Sequence, residues 1–375
     1  MHYTFELGPI RPPSEASSIL LRLTRNCPWN RCAFCPVYKG QKFSLRTPEE
    51  IRHDIDSMYF IAAEILKCTS ESGIINGSLM QDIASTHGIG TEYIQQVAFW
   101  LHHGMESLFL QDADSLIMKT TELADILKYI REKFPTIKRI TSYARAHTVS
   151  RKSPEELRQL REAGLNRIHI GMESGSDSVL EMIQKGVTAE RQIDAGKKAM
   201  DAGFELSQYF MPGSGGTEFS GENARESARV LSAINPTFIR LRSTIPVPGT
   251  PLHDLMLAGK WTPVPEEDKV REIRLFIENL DNITSVLKSD HIMNLIEDIE
   301  GSLPGDRSIM TGVIDSFFNM DPDDRETYIV GRRTGRYRYL RDFRPDRETE
   351  ILKQDLKNRY GSLDAAMLEI LTNYI

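Results

Sequence analysis

Three of the four cysteines in this 375-residue chain fall within nine positions, in the segment Arg25-Asn26-Cys27-Pro28-Trp29-Asn30-Arg31-Cys32-Ala33-Phe34-Cys35-Pro36. Thiols crowded in this way point to a metal site rather than a disulfide framework. Three thiolates hold three corners of a 4Fe-4S cube and leave the fourth iron an open position for another ligand. Structural zinc is the competing reading, but it normally closes with four protein ligands. The fourth would have to be Cys68 or a distant histidine, neither at zinc-ribbon spacing. Unmetallated core cysteines are the remaining alternative. The spacing therefore predicts one iron-sulfur cluster on Cys27, Cys32 and Cys35. Cys68 ends the apolar helical pattern MYFIAAEILKC and is expected to pack in the core as a small hydrophobe.

The elements that must carry this loop follow from the hydrophobic pattern. Short β-prone runs occupy 18–23, 107–110, 138–143, 167–171, 204–210 and 237–241. From the second onward they lie roughly 30 to 40 residues apart, about one βα unit. Strand then helix, repeated, means a parallel sheet. Thr47-Pro48-Glu49-Glu50 and Ser153-Pro154-Glu155-Glu156 signal helix starts, with a capping hydroxyl before Pro. Ala163-Gly164 and Ala202-Gly203 signal helix ends. Residues 194–201 and 221–234 also read as helices. The stretch from Cys68 to Gly104 is longer than one crossover and reads as an insertion, irregular over SESGIINGSL and helical over 92–102. Beyond Leu252 the pattern predicts helices over 266–287, 291–300, 306–318 and 348–374, with no further strand. The fold expected is α/β, a parallel partial (β/α)6 TIM-type barrel over 18–255. It follows an N-terminal extension, 1–17, and precedes a helical C-terminal region, 256–375. The cysteine loop leaves the first strand at the C-terminal mouth, where such barrels keep their chemistry.

A net charge of −7 argues against a protein that coats nucleic acid, which usually leaves a basic footprint. No run approaches the length of a membrane-spanning helix, and the N-terminus lacks a secretory pattern. A cytoplasmic location is expected.

The cysteine loop resembles that of the radical S-adenosylmethionine (SAM) superfamily, whose commonest pattern is CxxxCxxC with an aromatic before the last Cys. Phe34 supplies the aromatic, and four residues rather than three separate Cys27 from Cys32. The resemblance implies one 4Fe-4S cluster, S-adenosylmethionine chelated at the open iron, and a 5′-deoxyadenosyl radical that abstracts hydrogen from a substrate. It also implies an electron donor such as flavodoxin or ferredoxin. Gln111-Asp112-Ala113-Asp114-Ser115 stands where the family often has a Gly-Gly-Glu turn, which makes Gln111 and Asp112 candidates for the cofactor's amino group. Glu173-Ser174-Gly175-Ser176-Asp177 resembles a turn of the branch holding methylthiotransferases, oxygen-independent coproporphyrinogen oxidases and magnesium-protoporphyrin ester cyclases. By that resemblance Glu173 and Ser174 face the cofactor, and Lys185 lies where relatives set a cation against the methionine carboxylate. Ser142, Arg145 and Gln208 are candidate neighbours of the ribose or carboxylate. Pro246 lies in the segment 244–252, whose end Pro248-Gly249-Thr250-Pro251-Leu252 resembles a turn of the same branch, and by that resemblance it is a candidate neighbour of adenine. The C-terminal segments Ser289-Asp290-His291 and Gly331-Arg332-Arg333-Thr334-Gly335 resemble those of uncharacterised members of the branch. No residue is singled out as catalytic.

Beyond the triad only Cys68 remains, too few thiols for the second cluster of sulfur-inserting relatives. With 26 residues before Cys27, no cobalamin-binding domain is expected. The leading expectation is a hydrogen-abstracting enzyme acting on a small molecule. A cluster-bearing chaperone or sensor is the alternative from another class. An RNA-modifying enzyme is the third, with Arg332, Arg333, Arg336, Arg338 and Arg341 as its basic surface.

Overall fold

The computed structural model describes residues 3–72 and 75–373. Eight strands form one sheet in chain order: β1 (Ile19–Arg22), β2 (Ser107–Gln111), β3 (Arg139–Ala144), β4 (Leu165–Glu173), β5 (Glu205–Phe210), β6 (Phe238–Leu241), β7 (Val286–Lys288) and β8 (Gly301–Ser302). The β1/β2, β2/β3, β5/β6 and β6/β7 pairs are parallel, and β8 closes antiparallel on β7. Spatial order equal to chain order is the singly wound arrangement of a (β/α) barrel; a doubly wound sheet would reverse at a switch point. With β1 and β8 at the ends of that order, the architecture is a mostly parallel, partial TIM-type sheet. A helical C-terminal region follows it.

The chain divides into two compact units. One comprises Met1–Pro28, Gly40–His169 and Lys198–Glu205; the other comprises Trp29–Lys39, Ile170–Lys197 and Leu206–Ile375.

In the first unit, α1 (Pro48–Ser72) begins with a reciprocal cap. Glu50 N–H donates to Thr47 Oγ1 at 3.2 Å, and Thr47 N–H donates to Glu50 at 2.8 Å. Next come α2 (Gly77–His87), α3 (Thr91–His102), α4 (Thr120–Lys133) and α5 (Pro154–Glu162), the last with the capping box its sequence signals. Of the stretch read as irregular, Gly73 and Ile74 lie outside the described residues; Gly77 onward is helical, capped by Asn76, whose side chain accepts Leu79 N–H. After β4 comes a helix α6 (Ala189–Asp201), of which only the last turn, from Lys198, belongs to this unit. Gly164 and Gly203 both adopt positive φ where their helices end, as the Ala-Gly pairs predict.

In the second unit, α7 (Gly216–Ile234) packs against α8 (Glu266–Asn279). The C-terminal helices are α9 (Arg307–Phe318), α10 (Pro322–Arg333), α11 (Arg347–Tyr360) and α12 (Leu363–Thr372). Three expectations change here. The helix over 348–374 is two, α11 and α12, because Gly361 turns left-handed at φ +79° and ends the first. The helix over 266–287 stops at Asn279, and Val286–Lys288 instead adds a parallel strand beside β6. The stretch 291–300 is not helical, because arginines of α10 take its carbonyls: Arg332 donates to Ile292, Asn294 and Leu295, and Arg333 to Ile292 and Met293.

Candidate active site

In the first unit, the polar turn after β2 grips the chain around the start of the cysteine loop. Asp112 is fully buried, and its Oδ2 receives Arg22 Nε at 2.8 Å, Arg22 Nη2 at 2.6 Å and the Asn26 N–H at 3.1 Å. Asn26, one residue before Cys27, sits at φ +67°, a left-handed conformation that asparagine tolerates better than most residues. Gln111 grips the N-terminal extension: it accepts Gly8 N–H at 2.9 Å and donates to the carbonyls of Gly8 and Ile10. Both side chains are thus engaged in holding backbone.

Asp114, outside the set inferred from sequence, is buried and accepts Thr148 Oγ1 at 2.5 Å and Arg145 N–H at 3.2 Å. Burial pushes its carboxyl up to about 6 despite those donors. It fixes the turn after β3, where Ser142 is buried and donates to the Tyr143 carbonyl. Cys27 is partly buried, and Cys68 is partly buried on α1 rather than fully in the core.

In the second unit, Trp29–Lys39 is braced by hydrogen bonds. Lys39 Nζ donates to the carbonyls of Cys32 (3.0 Å) and Asn30 (3.3 Å), and Cys35 N–H donates to the Cys32 carbonyl. Ala33 N–H bonds the Ile183 carbonyl at 2.8 Å, and Leu252 N–H bonds the Ala33 carbonyl at 2.9 Å. Phe34 and Ala33 join Val179, Ile183, Met211 and Trp261 in one apolar cluster, against which Cys32 and Cys35 pack. Partly buried thiols on a braced loop with an apolar backing suit thiolate ligation of an iron-sulfur cube, whose potential such a shell tunes.

Glu173 ends β4 at φ +67°, an unusual backbone for a non-glycine residue and a common mark of functional turns. Its carboxylate accepts Lys185 Nζ at 2.9 Å, and the ammonium lies 6.0 Å from the Phe34 ring centroid. Both partners are largely buried, so Lys185 is no solvated surface lysine. Ser174 is buried and spends its polar atoms on the turn: Oγ accepts Ser176 N–H at 3.0 Å, and the carbonyl accepts Gln192 Nε2 at 2.8 Å. At Gly175 a Cβ would lie 2.3 Å from the Glu226 carbonyl oxygen, so only glycine lets α7 approach.

Gln208 is buried, and among the described residues neither of its amide atoms has a hydrogen-bond partner. It alternates with Tyr209 and shares the pleat face of Phe210, which stacks on Phe276 of α8 at 4.4 Å. That face meets the helix layer, whereas Met211 joins the Phe34 cluster. Pro246 lines a cavity of about 210 Å³ together with Thr244, Val264, Met367 and Leu371.

The sequence reading also missed Glu272. From α8 this buried carboxylate accepts Gly213 N–H (3.1 Å), Ser220 Oγ (2.6 Å) and Asn223 Nδ2 (2.7 Å), pinning the glycine turn after β5. Burial pushes it up to about 7 against those donors. No local motif marks it, because the contact spans 59 residues.

Comparison with known proteins agrees with this chemistry. Residues 21–220, just over half of the chain, match the family model described as the Radical SAM superfamily. Among curated proteins, a tRNA uridine(34) acetyltransferase of Methanocaldococcus jannaschii is 23% identical over 120 residues, 32% of this chain and 22% of that protein. An uncharacterized methyltransferase of Pyrococcus horikoshii is 25% identical over 158 residues, 40% of this chain and 33% of that one. The chain thus spans a third or less of the length of these relatives. Among solved structures, the cobalamin-dependent S-adenosylmethionine radical enzyme OxsB aligns over 94% of this chain and 52% of its own, with TM-score 0.46 and 15% identity. Elp3 of Methanocaldococcus infernus aligns over 59% and 57%, with TM-score 0.44 and 16% identity.

Proposed function

The chain belongs to the radical SAM superfamily, whose cofactors are a 4Fe-4S cluster and S-adenosylmethionine, and we propose that it abstracts hydrogen from a small-molecule substrate. When bound, the cluster and S-adenosylmethionine would supply the reductive radical chemistry, while the chain's residues hold and orient them. The observation that carries the proposal is the braced loop bearing three thiols and no fourth, which leaves one iron open for chelation.

The chain's own residues then divide the work. Cys27, Cys32 and Cys35 hold the iron. Asp112 fixes backbone at the start of the loop, Gln111 fixes the N-terminal extension, and Phe34 with its apolar neighbours keeps water from the loop's inner face. Lys185 and Glu173 are the polar pair we assign to the charged end of the cofactor. A ligand carboxylate would compete with Glu173 for Lys185, and a ligand ammonium would compete with Lys185 for Glu173.

The partial relatives named as tRNA enzymes raise RNA as a substrate, with the C-terminal arginines as its contact surface. Those guanidiniums are matched to carboxylates: Arg332 and Arg338 to Glu297, Arg333 to Glu266, Arg336 to Glu348, and Arg341 to Asp298. This local neutralisation supports the small-molecule reading. The test is spectroscopic. Saturating S-adenosylmethionine should perturb the paramagnetic spectrum of the reduced, anaerobically reconstituted protein, and an unchanged spectrum would leave the sensor reading in its place. Among the described residues no helix is long and apolar enough to cross a membrane.

A further inference from the structure

Lys185 reaches Glu173 from a turn with an uncommon backbone. The short helix Asp177–Met182 ends there, with Gln184 at φ +52° and Gly186 at φ +69° on either side of Lys185. Two bonds close the turn on its helix: Gln184 N–H to the Glu181 carbonyl and Lys185 N–H to the Leu180 carbonyl, each at 2.9 Å. A left-handed glutamine is costly, and such a conformation persists where the surroundings over-determine it.

The cysteine loop supplies those surroundings. Ala33 N–H bonds the Ile183 carbonyl at 2.8 Å, and Trp29 Nε1 donates to the Gln184 carbonyl at 2.8 Å. The Trp29 ring also lies against Gly186, where a Cβ would come within 2.3 Å of its Cζ2. On the loop itself, the Arg31 guanidinium sits 5.1 Å from the ring centroid. Trp29 therefore touches the residue before Lys185 through a hydrogen bond and the residue after it through its ring. It stands in the four-residue interval between Cys27 and Cys32, one position longer than the commonest spacing named above.

We propose that Trp29 is a positioning residue for Lys185: by fixing the turn from Gln184 to Gly186, it holds the ammonium beside Glu173, where the cofactor's charged end would meet it. The role toward the cofactor rests on the assignment of the Glu173–Lys185 pair made under the proposed function.

The test joins a chemical probe to a binding titration on anaerobically reconstituted protein. Trp29→Phe keeps an aromatic ring and removes the donor to Gln184. Limiting acetic anhydride, read by peptide mapping, should acetylate Lys185 roughly three- to tenfold faster in Trp29→Phe than in the wild type, with iron content unchanged. Gly186→Ala, which displaces the ring, should give the same increase. By calorimetry, Trp29→Phe should bind S-adenosylmethionine roughly three- to tenfold more weakly, yet change affinity less than about twofold in a Lys185→Met background. Unchanged labelling of Lys185 in both variants overturns the proposal. So does an equal loss of affinity in both backgrounds, or loss of iron from Trp29→Phe, because either gives Trp29 a role that does not pass through Lys185. A wild type that binds no S-adenosylmethionine, but whose Lys185 labelling responds to Trp29→Phe, keeps the positioning and rejects the cofactor assignment.

Discussion

The buried carboxylate of Asp112 accepts the backbone N–H of Asn26 at 3.1 Å, one residue before Cys27. The turn after β2 therefore reaches the cysteine loop through the backbone, in the first unit, and Arg22 balances the charge. Arg22 keeps a second partner, Glu6 at 2.7 Å, so removing Asp112 should cost less than the roughly 3 to 5 kcal/mol of a buried ion pair left uncompensated. Asp112→Ala should lose stability below that range in denaturant titration and retain less iron after reconstitution. Asp112→Asn should fall between it and the wild type. Wild-type stability in Asp112→Ala would mean that the Arg22 pair has no structural weight.

The Glu173–Lys185 pair makes a separable prediction. Losing a charged hydrogen bond to the cofactor costs about 1.5 to 3 kcal/mol. Glu173→Ala should therefore weaken S-adenosylmethionine binding roughly tenfold or more, measured by calorimetry, with iron content unchanged. Unaltered affinity would return Glu173 to a structural role at its left-handed turn.

Glu272 makes folding depend on pH in an unusual direction. Its folded value of about 7 lies above the ordinary 4.5, so the folded state binds its proton more tightly than the unfolded chain. That contribution is complete below about 4.5 and is lost as pH rises through about 7, over a span of order 3 kcal/mol. Glu272→Gln is neutral throughout and should lack it. The stability of the variant relative to wild type should therefore rise between pH 4.5 and 7, as read by paired denaturant titrations. A constant difference would show that the carboxyl titrates as in water.

Much of this architecture is legible in the sequence, because β-prone runs with Pro-led helix starts and Gly-ended helices report local backbone preference. The six core strands and the capping boxes at Glu50 and Glu156 are of this kind. What escapes is tertiary. Ile292, Leu295, Ile296 and Ile299 repeat at helical spacing, yet Arg332 and Arg333 capture the carbonyls that a helix would use. In the candidate site, the thiols and the turn at Glu173 stand out as motifs, whereas Asp114 and Glu272 acquire their setting only when distant segments meet. Asp112 shows a further limit: its position is visible in the sequence, but its role as a backbone anchor is not.

Cluster stoichiometry checks the triad. Reconstituted protein should carry about four irons per chain. Cys68→Ser should keep them, since Cys68 lies on α1, outside the loop. Each of Cys27→Ser, Cys32→Ser and Cys35→Ser should lose most of the iron. About eight irons per chain, or a cluster that disappears with Cys68, would mean a different ligand set.

The central claim is reductive cleavage of S-adenosylmethionine, and its direct measurement is 5′-deoxyadenosine in anaerobic mixtures of reconstituted protein, dithionite and cofactor, resolved by chromatography and mass spectrometry. The wild type and Cys68→Ser should both accumulate 5′-deoxyadenosine, and Cys35→Ser should form none. A fully loaded wild type that yields no 5′-deoxyadenosine, or a Cys35→Ser protein that yields as much as wild type, would contradict the account.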